Sequence, residues 1–177
     1  MKMNKVAMAV AFTAALGSMS VLAADTTNGK IEFQGELVNT ACGLAANSSP
    51  VSVDFGQIPV SALASGARAG NVQKNIELQD CDTTVATSAV VSYTPTTTNP
   101  SDATLAAFTS GTASGAGIGL RDSASQDVTW GQGTSAVQLV NGTNTIPFVA
   151  YLKADNDENI VTAGSFQSTV NFQIDYQ

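Results

Sequence analysis

The last fourteen residues constrain the fold more than any other part of the chain. Within residues 164–177, Phe166, Val170, Phe172, Ile174 and Tyr176 share one parity, interrupted by Ser168, while Ser165, Gln167, Thr169, Asn171, Gln173 and Asp175 occupy the other. Successive side chains of a strand point to opposite faces, so the pattern predicts one long strand with an apolar face and a polar face. That strand needs a core beneath it and a partner on each edge. An edge left unpaired is a template for another strand.

The same period recurs upstream. Val51-Ser52-Val53-Asp54-Phe55, Ile76-Glu77-Leu78, Val137-Gln138-Leu139 and the run from Ile146 to Leu152 all alternate, and Thr, Val, Ser, Asn and Gly dominate between them. Asn141-Gly142 separates two such runs and predicts a turn, either a tight hairpin, because both residues accept positive φ, or a longer loop. Helix is confined to a turn or two at residues 62–69 and 102–108, too short to carry a core. Residues 94–102, with Pro95 and Pro100, and the Gly/Ser/Ala stretch 110–117 read as loops. The expected fold is an all-β sandwich.

The N-terminus sets the compartment. Lys2 and Lys5, the apolar residues 6–16 and the small residues around Ala23 and Ala24 form a secretory signal peptide, residues 1–23, with cleavage after Ala23 or Ala24. Its apolar stretch is shorter than the roughly 20 residues that span a bilayer. The remaining 154 residues suit one domain. Removing Lys2 and Lys5 takes the formal net charge from −7 to −9, and the five cations left (Lys30, Arg68, Lys74, Arg121, Lys153) are scattered, so nucleic acid is not an expected partner. Cys42 and Cys81 are the only cysteines, and in an exported chain an even count predicts a bridge. A metal pair or a catalytic thiol are the alternatives, and the chain has no histidine to support either.

A second alternating segment lies just upstream of Cys42. Gly29, Ile31 and Phe33 alternate with Lys30, Glu32 and Gln34, which predicts a one-faced strand outside the disulfide loop, free to leave the domain while still attached to it. Read on composition alone, both end segments would be ordinary core strands of a complete sandwich.

Several stretches together carry a resemblance: Thr27-Asn28-Gly29-Lys30-Ile31 through Val38-Asn39-Thr40-Ala41-Cys42, Glu77-Leu78-Gln79-Asp80-Cys81, Asn141-Gly142-Thr143-Asn144-Thr145-Ile146-Pro147-Phe148, and Phe172-Gln173-Ile174-Asp175-Tyr176-Gln177. With Tyr176 penultimate and Gly164 fourteenth from the end, the chain resembles the major subunit (pilin) of type 1-like fimbriae of the chaperone–usher pathway. The resemblance implies an incomplete immunoglobulin-like β-sandwich lacking its last strand, with a donor-strand extension at residues 24–36 and a pilin domain at 37–177. It implies an acceptor groove and chaperone-binding strand at Gly164, Phe166, Val170, Phe172, Ile174 and Tyr176, and donor residues Gly29, Ile31 and Phe33. The implied partners are identical subunits in a head-to-tail homopolymer, a periplasmic chaperone, an outer-membrane usher, and adaptor or adhesin subunits at the tip. The implied destination is a cell-surface fimbria reached through the periplasm and serving adhesion.

Other motifs lead elsewhere and are set aside. Trp130-Gly131-Gln132-Gly133-Thr134 copies a stretch of antibody variable domains, yet it follows both cysteines, where that fold places its tryptophan between them. Gly115-Ala116-Gly117-Ile118-Gly119 lacks dinucleotide-loop spacing. Asp155, Asp157 and Glu158 lack a full calcium-loop pattern. No catalytic constellation, metal site, cofactor or small-molecule substrate is expected, and no carboxylate pair stands out for general acid–base work. The competing readings are a minor adaptor subunit of the same kind of fimbria, a self-contained secreted binding module, and a secreted enzyme on a β-sandwich.

Overall fold

Long alternating runs become long strands wherever a second run lies close enough to pair with them. The structure, a computed structural model, describes residues 27–155 and 160–177; the expected signal peptide lies outside the described residues. The chain divides into a unit ending at Glu36 and a larger unit, Leu37–Gln177.

Among the described residues nine strands follow in order: β1 (Gly43–Leu44), β2 (Arg68–Cys81), β3 (Ser88–Pro95), β4 (Ser110–Gly111), β5 (Ala116–Arg121), β6 (Val137–Gln138), β7 (Gly142–Ala154), β8 (Phe166–Gln167) and β9 (Val170–Tyr176). One sheet has the order β1-β2-β7-β5, a second the order β6-β3-β9, and β4 with β8 forms a small ribbon. All pairs are antiparallel. The core lies between the two sheets. Ile76, Leu78, Ile146, Phe148 and Ala150 face it from β2 and β7, and Ala89, Val91 and Tyr93 face it from β3. The rings of Tyr93 and Phe148 meet across the gap at 6.1 Å. This is the alternation read from the sequence, each apolar parity turned inward.

Cys42 and Cys81 are joined by a disulfide that ties the chain ahead of β1 to the end of β2. Beside it, the Asp82 N–H donates to the Ala41 carbonyl.

Four sequence expectations change. Asn141-Gly142 is not a hairpin, because β6 belongs to the second sheet and β7 to the first, so the segment crosses between sheets. Gly142 does take positive φ, +93°. Side chains hold this corner: the backbone N–H and hydroxyl of Thr83 donate to Asn141 Oδ1, and Asn144 exchanges hydrogen bonds with the Val140 N–H and carbonyl. Residues 102–108 form no helix. Asp102 caps a tight turn through Thr104, and Ala106 then exchanges backbone hydrogen bonds with Ile118, so a sheet edge claims the segment. The helical expectation at 62–69 is met only by 3-10 turns within Val60–Gly66, before β2 begins at Arg68.

The fourth change is at residues 51–55. Val51, Val53 and Phe55 are half-buried against the core in the expected alternation. No strand is assigned there, however, and among the described residues no backbone–backbone hydrogen bond reaches positions 50–58. The segment has the side-chain pattern of a strand and lacks its neighbour.

Candidate functional site: an open sheet edge

The apolar parity at the C-terminus divides between two strands. Phe166 and Gln167 pair with Gly111 and Ser110, whereas residues 170–176 pair with β3 in the register Pro95↔Val170 to Ala89↔Tyr176. The change of partner falls at Ser168, whose hydroxyl donates to the Ala107 carbonyl at 2.7 Å. The polar residue that interrupts the pattern there supplies that carbonyl with a donor. The single long strand expected from 166 to 176 is therefore corrected to two, β8 and β9.

β9 is an edge strand. Its far end is fixed by Gln177, which donates to the Ser88 carbonyl and accepts from the N–H groups of Thr87 and Ser88. Val170, Phe172, Ile174 and Tyr176 lie on the core side but are only half-buried. Among the described residues no strand pairs with the outer edge of β9. Residues 51–55 rest on the same core cluster, also without a backbone partner. At one end of these two segments the Phe55 and Phe166 rings lie 5.8 Å apart, and at the other the Tyr176 hydroxyl is 3.5 Å from the Cys42 carbonyl. Two apolar parities thus share one core, each with unpaired backbone.

The Phe166 end opens into a cavity of about 230 Å³ lined by Ile58, Leu63, Phe108, Val161, Gly164 and Phe166. Phe108 and Phe166 stack at 4.5 Å. Gly164 serves close packing, since any side chain there would overlap the Thr112 hydroxyl and the Ala113 backbone nitrogen. Burial pushes the Tyr176 phenol above its ordinary pKa, as expected beside an apolar surface. Among the described residues that line it, the site holds no array of nucleophile, base and oxyanion donor. It offers backbone hydrogen-bonding groups and apolar depressions, which suit an extended peptide.

Of the expected donor residues, Ile31 and Phe33 are 78% and 88% exposed, and Lys30 pairs with Glu32 on the opposite parity. Residues 27–39 carry no strand assignment, so the expected N-terminal strand is not a strand in this structure. A ladder needs a second strand, and the side-chain pattern alone does not supply it. Sequence reasoning placed Val51, Val53 and Phe55 in an ordinary strand and missed them as part of the site. It missed Ile58, Leu63, Phe108 and Val161 entirely, because those residues converge from turns and loops without local periodicity. Asp157 and Glu158 of the acidic cluster lie outside the described residues.

The family model for fimbrial protein matches residues 31–177, which includes both open segments. The chain belongs to the fimbrial protein family. It is 53% identical to the major fimbrial subunit of Proteus mirabilis (strain HI4320) and 36% identical to the type-1 fimbrial protein A chain of Escherichia coli, in both cases over the full length of each chain. A solved structure of a chaperone–usher pilus is 26% identical, with a TM-score of 0.74 over 88% of this chain and 99% of that one. The P pilus rod subunit PapA, 24% identical, shares the fold with a TM-score of 0.66 over 78% of this chain and all of its own. The sandwich of this fimbrial protein is accordingly immunoglobulin-like, with β9 at the edge of its second sheet.

Proposed function

We propose that this chain is the repeating structural subunit of a chaperone–usher fimbria, and that the N-terminal extension of the next copy fills the site beside β9. The observation that carries the reading is the unpaired outer edge of β9, whose apolar side chains rest half-covered on the core. A strand laid against that edge would satisfy backbone groups and bury Val170, Phe172, Ile174 and Tyr176 together. Gly29, Ile31 and Phe33 have the matching period. Burying Ile31 and Phe33 would contribute about 1.5–3 kcal/mol each, and pairing a whole strand would fix the register.

An open edge is also a hazard for aggregation during export. A periplasmic chaperone that lends a strand until the outer-membrane usher exchanges it for the extension of the incoming subunit removes that hazard. The product is a head-to-tail, non-closing polymer on the cell surface that supports adhesion and ends in adaptor or adhesin subunits. The role of major rod subunit is supported by the resemblance to the major fimbrial subunit of Proteus mirabilis.

The test is the double variant Ile31→Asp/Phe33→Asp. It is expected to remain monomeric and to bind the chaperone as wild type does, because its acceptor edge is untouched. Sheared fibres of normal length from cells expressing only this variant would overturn the donor assignment.

A further inference from the structure

Large aliphatic side chains exposed on the unit Leu37–Gln177 collect at its two ends. One end contains the disulfide, the turn at residues 82–86 bonded to Ala41, the corner Asn141 bonded to Thr83, and the C-terminus clamped to Ser88. Val85 and Val140 are exposed there, and Leu37 and Val38, exposed as well, precede Cys42 by five and four residues. The other end contains the start of β2, the finish of β7 and the cavity beside Phe166. Val60 and Ile160 are exposed there, Ile160 by 87%. β2, with 14 residues, runs between the ends and separates them by about 45 Å.

The extension joins the larger unit at Leu37, five residues before Cys42 of the disulfide. A donor strand running antiparallel to the acceptor's β9 would finish at the acceptor's cavity end, so each subunit would meet its two neighbours at opposite ends. A parallel donor would bring both neighbours to the disulfide end, where they would compete for the same space. Unlimited head-to-tail growth selects the antiparallel arrangement. Phe33, the last apolar donor residue, then reaches the cavity beside Phe166. Leu37 follows four residues later, so it lies within about 14 Å of Phe33 however the chain is extended.

We infer that Leu37 and Val38 of one copy seat on Val60 and Ile160 of the copy holding its strand, forming an apolar end-to-end contact between successive subunits. The inference rests on the donor-strand reading above and adds to it a second contact, outside the groove. Gly35 in the short connector would otherwise leave the joint loose; this contact holds consecutive domains at a fixed angle.

The experiment uses two readouts. Polymers of the full chain and of Leu37→Ser/Val38→Ser are held in graded guanidinium, and monomer release is followed by size-exclusion chromatography. Separately, a synthetic peptide of residues 27–36 is titrated into full-length Ile31→Asp/Phe33→Asp chain. Binding is read from Trp130, the single tryptophan, which packs on the same cluster as Val170. The Leu37→Ser/Val38→Ser polymers are expected to release monomer about tenfold faster. Val60→Ser/Ile160→Ser is expected to match them, combining all four changes is expected to add less than about twofold, and peptide affinity is expected to be the same with or without the changes at 37 and 38. Wild-type release by the Leu37→Ser/Val38→Ser polymers, with the peptide still bound, overturns the contact and leaves the donor reading standing. Failure of the peptide to bind overturns the donor reading and the contact with it.

Discussion

β3 and β9 lie side by side, share the same alternation and pair residue for residue, with Tyr93 opposite Phe172. On β3 the core-facing residues are sealed, Ala89, Val91 and Tyr93 being 0%, 1% and 4% exposed. On β9 the equivalent positions are half-buried. The side-chain pattern does not account for the difference; the neighbours do. β3 has β9 on one edge, and β6 with Gly133 and Thr134 on the other. β9 has β3 alone. A pattern can specify which face of a strand is apolar, but a second strand decides whether that face is closed.

The largest way to sharpen this comparison is truncation across one paired position. Tyr93→Ala empties a sealed site and is expected to destabilise the domain by about 3–5 kcal/mol, whether or not the groove is filled. Phe172→Ala removes a ring already partly in water, so its cost to the open monomer is expected to be less than half of that. Once a peptide of residues 27–36 is bound, the cost of Phe172→Ala is expected to rise toward the Tyr93 value. Guanidinium unfolding of the Ile31→Asp/Phe33→Asp monomer, with and without the peptide, measures both. Equal costs at the two positions in the open monomer would mean that β9 is as closed as β3.

Much of the fold was legible because burial on one face leaves a period of two. Ile76 and Leu78, Ile146 to Ala150, and Val170 to Tyr176 turned the predicted parity inward, and Cys42 and Cys81 paired. Pairing itself was less legible. Residues 51–55 read as a strand and have no backbone partner, since local alternation carries no information on what lies alongside. Asn141-Gly142 signalled positive φ correctly at Gly142, yet the same dihedral serves a hairpin and a crossover between sheets. Ser168 marked a real break, but its cause, the Ala107 carbonyl, is a tertiary contact. The cavity residues Ile58, Leu63 and Phe108 come from segments with no periodicity to read.

A second, comparable effect concerns the disulfide, which borders the Tyr176 end of the open site but belongs by its burial to the closed core. Cys42→Ser/Cys81→Ser frees a loop with a sequence separation of 39. Chain-entropy reasoning puts the expected loss at about 4 kcal/mol. Because the bond anchors Ala41 and the residues that lead into the extension, the loss is expected in the domain's own unfolding. The affinity of the open edge for the peptide, measured on the fraction that remains folded, is expected to be unchanged. A peptide affinity that fell together with stability would tie the two regions more closely than their separate neighbours suggest.

The smallest effect is a pH dependence that belongs to the closed region alone. Asp122 is buried, which by itself would raise its carboxyl pKa, but Oδ2 accepts the Ser135 N–H and Oδ1 accepts those of Gln126 and Ala124, and together they hold it below the usual carboxylate range. A carboxylate whose pKa is lower in the folded than in the unfolded chain stabilises the fold fully above the unfolded value of about 4, and that stabilisation is lost as pH falls through the folded value. Asp122→Asn keeps an acceptor for one side of this network and turns an amide donor toward the Ser135 N–H on the other, so a cost of about 1–3 kcal/mol at neutral pH is expected. Asp102 and Asp127 have lowered pKa values as well, so both proteins will lose stability in acid, and the informative quantity is the difference between them. That difference is expected to be constant from pH 7 to about 5 and to shrink below about 4. It is also expected to be the same with the groove empty or filled, since none of the groups holding Asp122 belongs to β9 or to residues 51–55. A difference that changed when the peptide bound would place Asp122 in the open region and blur the division between the two strands.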